Sequence, residues 1–247
     1  MICYNNSMQN FQSKILQQYK DIFYTFTTKE DGNIAFHVGD RKSNVIHKHQ
    51  KLAKKHNYDY TQLVYMQQIH SNIVKNVTQD DDFTKPFRAD GLITDVKNKP
   101  LMVMVADCSP ILFYDPIQRV VAVAHAGRAG AFENIVANVI RKFTQEYHSD
   151  TKDIVVSVGA AICPSCYEVN ETIKEEAKER GMLYAIKEEK NRLYLDIRAI
   201  LYKELRESGL LNEHIEISPI CSKCHPDFYS YREDKSCGRF AGIIALI

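Results

Sequence analysis

The chain has 247 residues, 45% hydrophobic and 26% charged, the balance of an ordinary globular protein and within the size range of one mixed or β-rich domain. Its 32 basic side chains face 31 acidic ones, a net charge of +1 with neutral histidines. That balance excludes a partner held by bulk charge, so neither nucleic acid nor an anionic membrane surface is expected.

The start, Met1-Ile2-Cys3-Tyr4-Asn5-Asn6, lacks the basic residues and long apolar run of a signal peptide. Ile22 to Phe26 reads as a first strand, followed by a turn at Asp31-Gly32-Asn33, and Asn44 to Lys55 as a polar helix. In that helix His47-Lys48-His49, the chain's His-x-His, and His56 are expected on a solvated face. Leu63 to Gln67 and Ile73 to Val77 read as strands flanking His70. Asp90 to Thr94 and Leu101 to Ala106 come next, then a hairpin of Ile111 to Tyr114 and Val120 to Ala124 turning at Asp115-Pro116. Apolar residues at Phe132, Ile135, Val136, Val139, Ile140 and Phe143 predict a helix from Ala131 to about Tyr147. A buried strand, Ile154 to Val158, leads into Cys163-Pro164-Ser165-Cys166. Two helices follow, near Asn170 to Arg180 and Ile197 to Ser208, and Glu171 to Arg192 is expected as a water-facing helix and loop. Strands at Ile215 to Pro219 and Gly242 to Ile247 close the chain, which has no apolar run of membrane-spanning length. Strands and helices mix without strict alternation, so we expect one α/β domain with a mixed sheet.

Three polar clusters end apolar runs: Gln67-Gln68-Ile69-His70-Ser71, Ala106-Asp107-Cys108-Ser109-Pro110 and Ala124-His125-Ala126-Gly127-Arg128-Ala129-Gly130. If the preceding strands are neighbours, His70, Cys108 and His125 meet at one sheet edge. Two imidazoles and a thiolate suit a soft divalent metal with an open fourth position, the arrangement of a catalytic site. Taken singly, each is as readily a hydrogen-bonded structural residue. Ser71 and Asp107 stand beside them as groups able to orient an imidazole. Gly127 and Gly130 with Arg128 form a loop ahead of a helix, suited either to an anion or simply to close packing.

The cysteine count is seven, odd and spread along a chain too large to need disulfide staples, which fits a reducing cytoplasm. Cys163-x-x-Cys166 and Cys221-x-x-Cys224 have the form of two halves of a four-thiolate zinc knuckle. The 54 residues between them exceed the roughly 15–20 of a compact knuckle, so thiols at two separate turns are an equal reading. Cys3 and Cys237 have no partner pattern. Phe228-Tyr229-Ser230-Tyr231-Arg232 reads as a packed edge strand, or as aromatics and an arginine that hold a base and a phosphate.

Several of these stretches together resemble the polyphenol oxidase laccase-domain family, whose members are also called purine nucleoside phosphorylases of the YfiH/YlmD type. They are Gln68-Ile69-His70-Ser71, Ala89-Asp90-Gly91-Leu92-Ile93-Thr94, Ala106-Asp107-Cys108-Ser109-Pro110-Ile111, Ala124-His125-Ala126-Gly127, Cys166-Tyr167-Glu168-Val169, Cys221-x-x-Cys224 and Phe228-Tyr229-Ser230-Tyr231-Arg232, in order from about Thr25 to the C-terminus. The resemblance implies one α/β domain of layered mixed β-sheets flanked by helices, spanning residues 1–247, with a catalytic zinc on His70, Cys108 and His125. It also implies phosphorolysis of adenosine, inosine, guanosine and S-methyl-5'-thioadenosine, with deamination of adenosine. On that reading Arg128 and Arg232 contact phosphate or substrate, and Asp107, Asp90 and Glu168 are candidates for a proton shuttle. One departure stands out: the family usually continues His-Ala-Gly with Trp-Arg-Gly, whereas this chain has Arg128-Ala129-Gly130.

Two other chemistries fit the same residues. Copper on the His/Cys set would suit phenol oxidation, but a trinuclear copper centre needs several His-x-His pairs and the chain has one. Without metal, Cys108 as nucleophile and His125 as base would make a thiol hydrolase.

Overall fold

The computed structural model describes residues 11–247, so Cys3 and the amino-terminal start lie outside the described residues. In chain order the elements are β1 (Ile22–Phe26), α1 (Lys42–His56), β2 (Val64–Gln67), β3 (Val74–Asn76), β4 (Phe87–Arg88), β5 (Gly91–Thr94), β6 (Leu101–Val105), β7 (Ser109–Asp115) and β8 (Val120–Ala126). There follow α2 (Arg128–Phe132), α3 (Ile135–Glu146), β9 (Val155–Val158), β10 (Glu168–Val169), α4 (Glu171–Glu179), β11 (Ile186–Glu189), β12 (Arg192–Leu195), α5 (Ile197–Glu207), β13 (Ile215–Ile217) and β14 (Phe240–Leu246).

Two mixed sheets stack face to face. One has strand order β1-β14-β6-β2-β4 and the other β13-β9-β7-β8-β5-β3. Side chains alternate across a strand, and β7 uses both faces. Leu112 and Tyr114 join Val64, Met66, Val103, Val105, Phe240 and Ile244 in the core between the sheets. Ile111 and Phe113 turn the other way, against Ile135, Val136, Val139 and Phe143 of α3 and Ile200 and Leu201 of α5. On the far side of the first sheet, Met102, Met104, Ala241 and Ile243 pack with Leu52 of α1. The layers therefore run helix, sheet, sheet, helix, which explains why β7, β8 and β14 are buried at every position and read as continuous apolar runs. Among the described residues no helix is long and apolar enough to cross a membrane.

Several local expectations need correction. The helix foreseen over Ala131–Tyr147 is two helices, broken where Asn134 adopts a left-handed φ of 52° and its side chain accepts the Ala137 N–H as a cap. The first piece starts earlier, at Arg128, so Gly127 caps it and Gly130 lies inside it. The water-facing stretch after α4 folds into a hairpin, β11 on β12, turned by Lys190 and Asn191 with φ of 51° and 60°. Two consecutive left-handed residues make the hairpin turn that matches strand twist. His49 is buried, not solvated: its ring nitrogen Nε2 meets the Ile34 carbonyl at 2.9 Å, and burial pushes its pKa down to about 4. The Phe228–Arg232 stretch is loop and turn, not an edge strand.

Glu204 of α5 is 3% exposed, and among the described residues neither carboxyl oxygen has a hydrogen-bond partner. Burial, with Glu207 adding to it, pushes its pKa up from 4.5 to about 8. A carboxyl raised on folding leaves stability intact below its unfolded pKa and erodes it as pH climbs toward the folded one. Glu204→Gln should therefore match wild type near pH 4.5 and exceed it by about 1–3 kcal/mol at pH 8 in urea denaturation; equal curves at both pH values would refute this.

Candidate active site

β2 and β6 run parallel as neighbours in the first sheet, and the loops leaving their carboxyl ends carry His70 and Cys108. His125 comes from the other sheet, one residue before the end of β8. The three meet where two stacked sheets face each other, not at the edge of one sheet as expected. Their ligand atoms lie within 4.8 Å of one another, and the two imidazoles sit edge to face with centroids 5.1 Å apart. His70 is exposed, Cys108 half-buried and His125 buried.

The group that aligns them is Asp90, 0% exposed at the start of β5. Its carboxylate accepts the backbone N–H of Ile69 (3.2 Å), His70 (3.1 Å) and Ser71 (2.7 Å), and the Ser71 hydroxyl at 2.8 Å. Its Oδ1 lies 2.8 Å from His125 Nδ1, while its carbonyl accepts the His125 N–H at 2.7 Å. Burial works against the charge, but His125 and Ser71 outweigh it and hold the carboxyl down at about 2. An ionised carboxylate only accepts, so His125 Nδ1 carries the proton and Nε2 is left for Cys108 or a metal. Burial likewise pushes the Cys108 thiol up, yet the imidazoles of His125 and His70 bring it below its usual range. Burial lowers His125 while Cys108 and Asp90 raise it by more.

Two further features belong to the cluster. His70 and Asp107 hold left-handed backbones, φ 59° and 82°, a strain that clusters at functional sites. A Cβ on Gly127 would sit 2.8 Å from Cys108 Sγ, so glycine at this position admits the thiol.

A cavity of about 330 Å³ opens beside Cys108, of a size for a small-molecule ligand. Cations Arg128, Arg232 and Lys235 and the rings of Tyr167 and Tyr231 line it. The Arg232 guanidinium carbon lies over the Tyr167 ring, 5.0 Å from its centroid, and the guanidinium donates to the Glu168 carbonyl. Arg128 pairs with Glu176 and lies over the Phe132 ring. Asp107 does not orient an imidazole: its carboxylate accepts Ser222 Oγ (2.7 Å), Ser230 Oγ (3.0 Å) and the Arg232 N–H (2.6 Å). Glu168 is exposed, its carboxylate 3.6 Å from Arg192. Cys163, Cys166, Cys221 and Cys224, far apart in sequence, also converge. Lys235 carries no signal in the sequence, and Tyr167 lies in a family stretch that assigns it no role, because their place comes from loops that meet only after folding.

Residues 24–247 match the model of a family described as multi-copper polyphenol oxidoreductase laccase. The Bacillus subtilis (strain 168) protein named purine nucleoside phosphorylase YlmD is 31% identical over 251 residues, taking in 93% of this chain and 90% of that one. A Streptomyces coelicolor protein named purine nucleoside phosphorylase SCO2081 is 31% identical over 217 residues, 88% of each. Among solved structures, YlmD from Geobacillus stearothermophilus has a TM-score of 0.87 at 28% identity over 92% of each chain. A Bacillus licheniformis hypothetical protein, YfiH, has a TM-score of 0.89 at 28% identity, over 94% of this chain and 96% of that one.

Asp90→Asn keeps the size of the side chain but turns an NH₂ toward groups that themselves donate. Stranding buried donors in this way should cost about 3–5 kcal/mol of stability, read by urea denaturation of the purified variant. A loss below about 1 kcal/mol would mean that the carboxylate does not organise the cluster.

Proposed function

The chain belongs to the family described as multi-copper polyphenol oxidoreductase laccase, and from that premise we propose that it is a zinc-dependent purine nucleoside phosphorylase, its residues 1–247 acting as one domain. The substrates proposed are adenosine, inosine, guanosine and S-methyl-5'-thioadenosine with inorganic phosphate, and adenosine is also deaminated. One observation carries the reading: His70, Cys108 and His125 converge beside a cavity lined by three cations and two tyrosine rings.

The donor set fits zinc on three grounds. Two imidazole nitrogens and a thiolate are borderline-soft ligands. Asp90 fixes the His125 tautomer so that Nε2 is offered, as outer carboxylates do for metal-bound histidines. Three protein ligands leave a fourth position for substrate or water. Zinc held there supplies a Lewis acid that polarises an oxygen and lowers the pKa of a water suited to attack at purine C6.

The chain's own residues would do the rest. Tyr167 and Tyr231 offer ring faces to the base. Arg232 and Lys235, with Arg128, offer positive charge to phosphate. In phosphorolysis a phosphate oxygen bonds to ribose C1' as the glycosidic bond breaks, and its electron pair leaves with the purine nitrogen, which takes up a proton. Asp90 is sealed from solvent and engaged on both oxygens, so it serves as a positioning residue and not as the proton shuttle. Asp107 is engaged by the 222–232 loop. Glu168, exposed at the rim, is the most solvent-exposed carboxylate of the three, Asp107 being half-buried.

A multicopper oxidase is a poor fit, because the His-x-His pair is split between exposed His47 and buried His49, the latter bonded to a carbonyl. The metal-free thiol reading has one observation behind it, the Cys108–His125–Asp90 relay. Incubation with inosine and phosphate should yield hypoxanthine and ribose 1-phosphate, and chelation or Cys108→Ala should abolish it. Arg232→Ala should raise the KM for phosphate by about 10–100-fold, the worth of a charge-assisted hydrogen bond. Failure of both phosphorolysis and adenosine deamination would end the proposal; activity surviving chelation but not alkylation would transfer it to the thiol reading.

A further inference from the structure

Away from the His/Cys cluster, the turn 163–166 and the turn 221–224 lie against each other. We infer that Cys163, Cys166, Cys221 and Cys224 form a second, structural metal site, a closed tetrathiolate for zinc. Their sulfurs all lie within 4.8 Å of one another, and Cys166 Sγ and Cys224 Sγ are 3.3 Å apart. Four sulfurs at about 2.3 Å from a zinc stand about 3.8 Å apart at the corners of a tetrahedron, so the cluster already has the needed dimensions. Four protein ligands leave no open position, which separates this site in kind from the three-ligand cluster.

The backbone prepares the cradle. Each Cys-x-x-Cys closes a tight turn, Cys166 N–H on the Cys163 carbonyl at 3.0 Å and Cys224 N–H on the Cys221 carbonyl at 3.2 Å. The Cys163 N–H points at Cys221 Sγ from 3.3 Å, an amide donor placed to stabilise a thiolate. Between the turns runs a parallel bridge, Ala161 opposite Cys221, in which Ser222 N–H donates to the Ala161 carbonyl at 3.1 Å. Arg198 of α5 clamps both segments, donating to the Ala161 and Ile220 carbonyls at 2.6 Å each. The 54-residue separation that weakened the knuckle reading is spanned by α4, the β10–β12 sheet, α5 and β13, which return the second turn to the first.

The position of the site gives it a purpose. Ile162 and Tyr167 flank one turn, Tyr231 and Arg232 follow the other, and all four line the cavity beside Cys108. Asp107 ties in both segments, its carbonyl accepting the Ile162 N–H and its carboxylate the Ser222 hydroxyl. A metal across the two turns staples that wall of the cavity, so its role is positioning.

The test is metal content and thiol protection, independent of any turnover. Holoprotein purified without added metal should carry about two zinc per chain, Cys108→Ala about one, and Cys108→Ala combined with Cys224→Ser close to none. One zinc in wild type, kept in Cys108→Ala and lost in Cys224→Ser, supports this site while removing the catalytic zinc proposed above. Cobalt loaded into the Cys108→Ala protein should give intense thiolate charge-transfer absorption. Should Cys224→Ser fail to fold, alkylation of wild type with peptide mapping decides: the four thiols should be protected until a chelator is added, then react at least tenfold faster. A Cys108→Ala protein without metal, or equal alkylation of the four with and without chelator, overturns the inference.

Discussion

Charge buried without solvent is the constraint on which this molecule turns. Asp90 sits at the head of β5 with no exposure, and leaving an ion there costs several kcal/mol unless donors surround it. The donors come from two places: the 69–71 loop after β2 in one sheet, and the His125 ring on β8 in the other. Satisfying one carboxylate therefore docks a loop of the first sheet onto the second, fixes the backbone that carries His70 and orients the His125 imidazole. The left-handed backbone of His70 follows from the same demand, since three successive N–H groups must turn toward one carboxylate. The strain is held by about five charge-assisted contacts, each worth more than a neutral hydrogen bond.

Cys108 enters this frame from a third direction, and what admits it is empty space. The thiol occupies the volume a side chain at Gly127 would take, and Gly127 in turn caps α2. Asp107, the neighbour of Cys108, points away from the imidazoles and collects the 222–232 loop. The two aspartates of the family stretches thus divide the labour: Asp90 holds together the His/Cys cluster beside the cavity and Asp107 fastens the cavity wall.

The central strands were legible because being buried on both faces writes itself as an unbroken apolar run, and β7, β8 and β14 have seven buried positions each. Their distribution between two sheets was not, since pairing depends on partners that local periodicity does not encode. His70, Cys108 and His125 could be picked out by residue type at strand ends. The role of Asp90 could not, because most of its donors are backbone N–H groups that every non-proline residue has. His49 shows the reverse case: its neighbours in sequence are polar, yet its own direction on α1 aims it at Ile34. The break at Asn134 hid inside a helical pattern whose apolar spacing continues across it.

The Arg128-Ala129 departure from the usual Trp-Arg acquires a physical meaning in this frame. Successive residues on a helix point about 100° apart, so moving an arginine by one position changes which surface it serves. At the first position of α2, Arg128 lines the cavity but is also held by Glu176 of α4 and by the Phe132 ring. Its charge is therefore partly engaged before any anion arrives. Among the described residues the Arg232 guanidinium has no carboxylate partner; it lies over the Tyr167 ring, with its backbone N–H anchored by Asp107. A planar fork pre-set against an aromatic ring loses little freedom on binding an oxyanion. In the proposed phosphorolysis, the cation left to meet phosphate is thus Arg232, on the wall beside the two cysteine turns, more than Arg128 in the loop after His125.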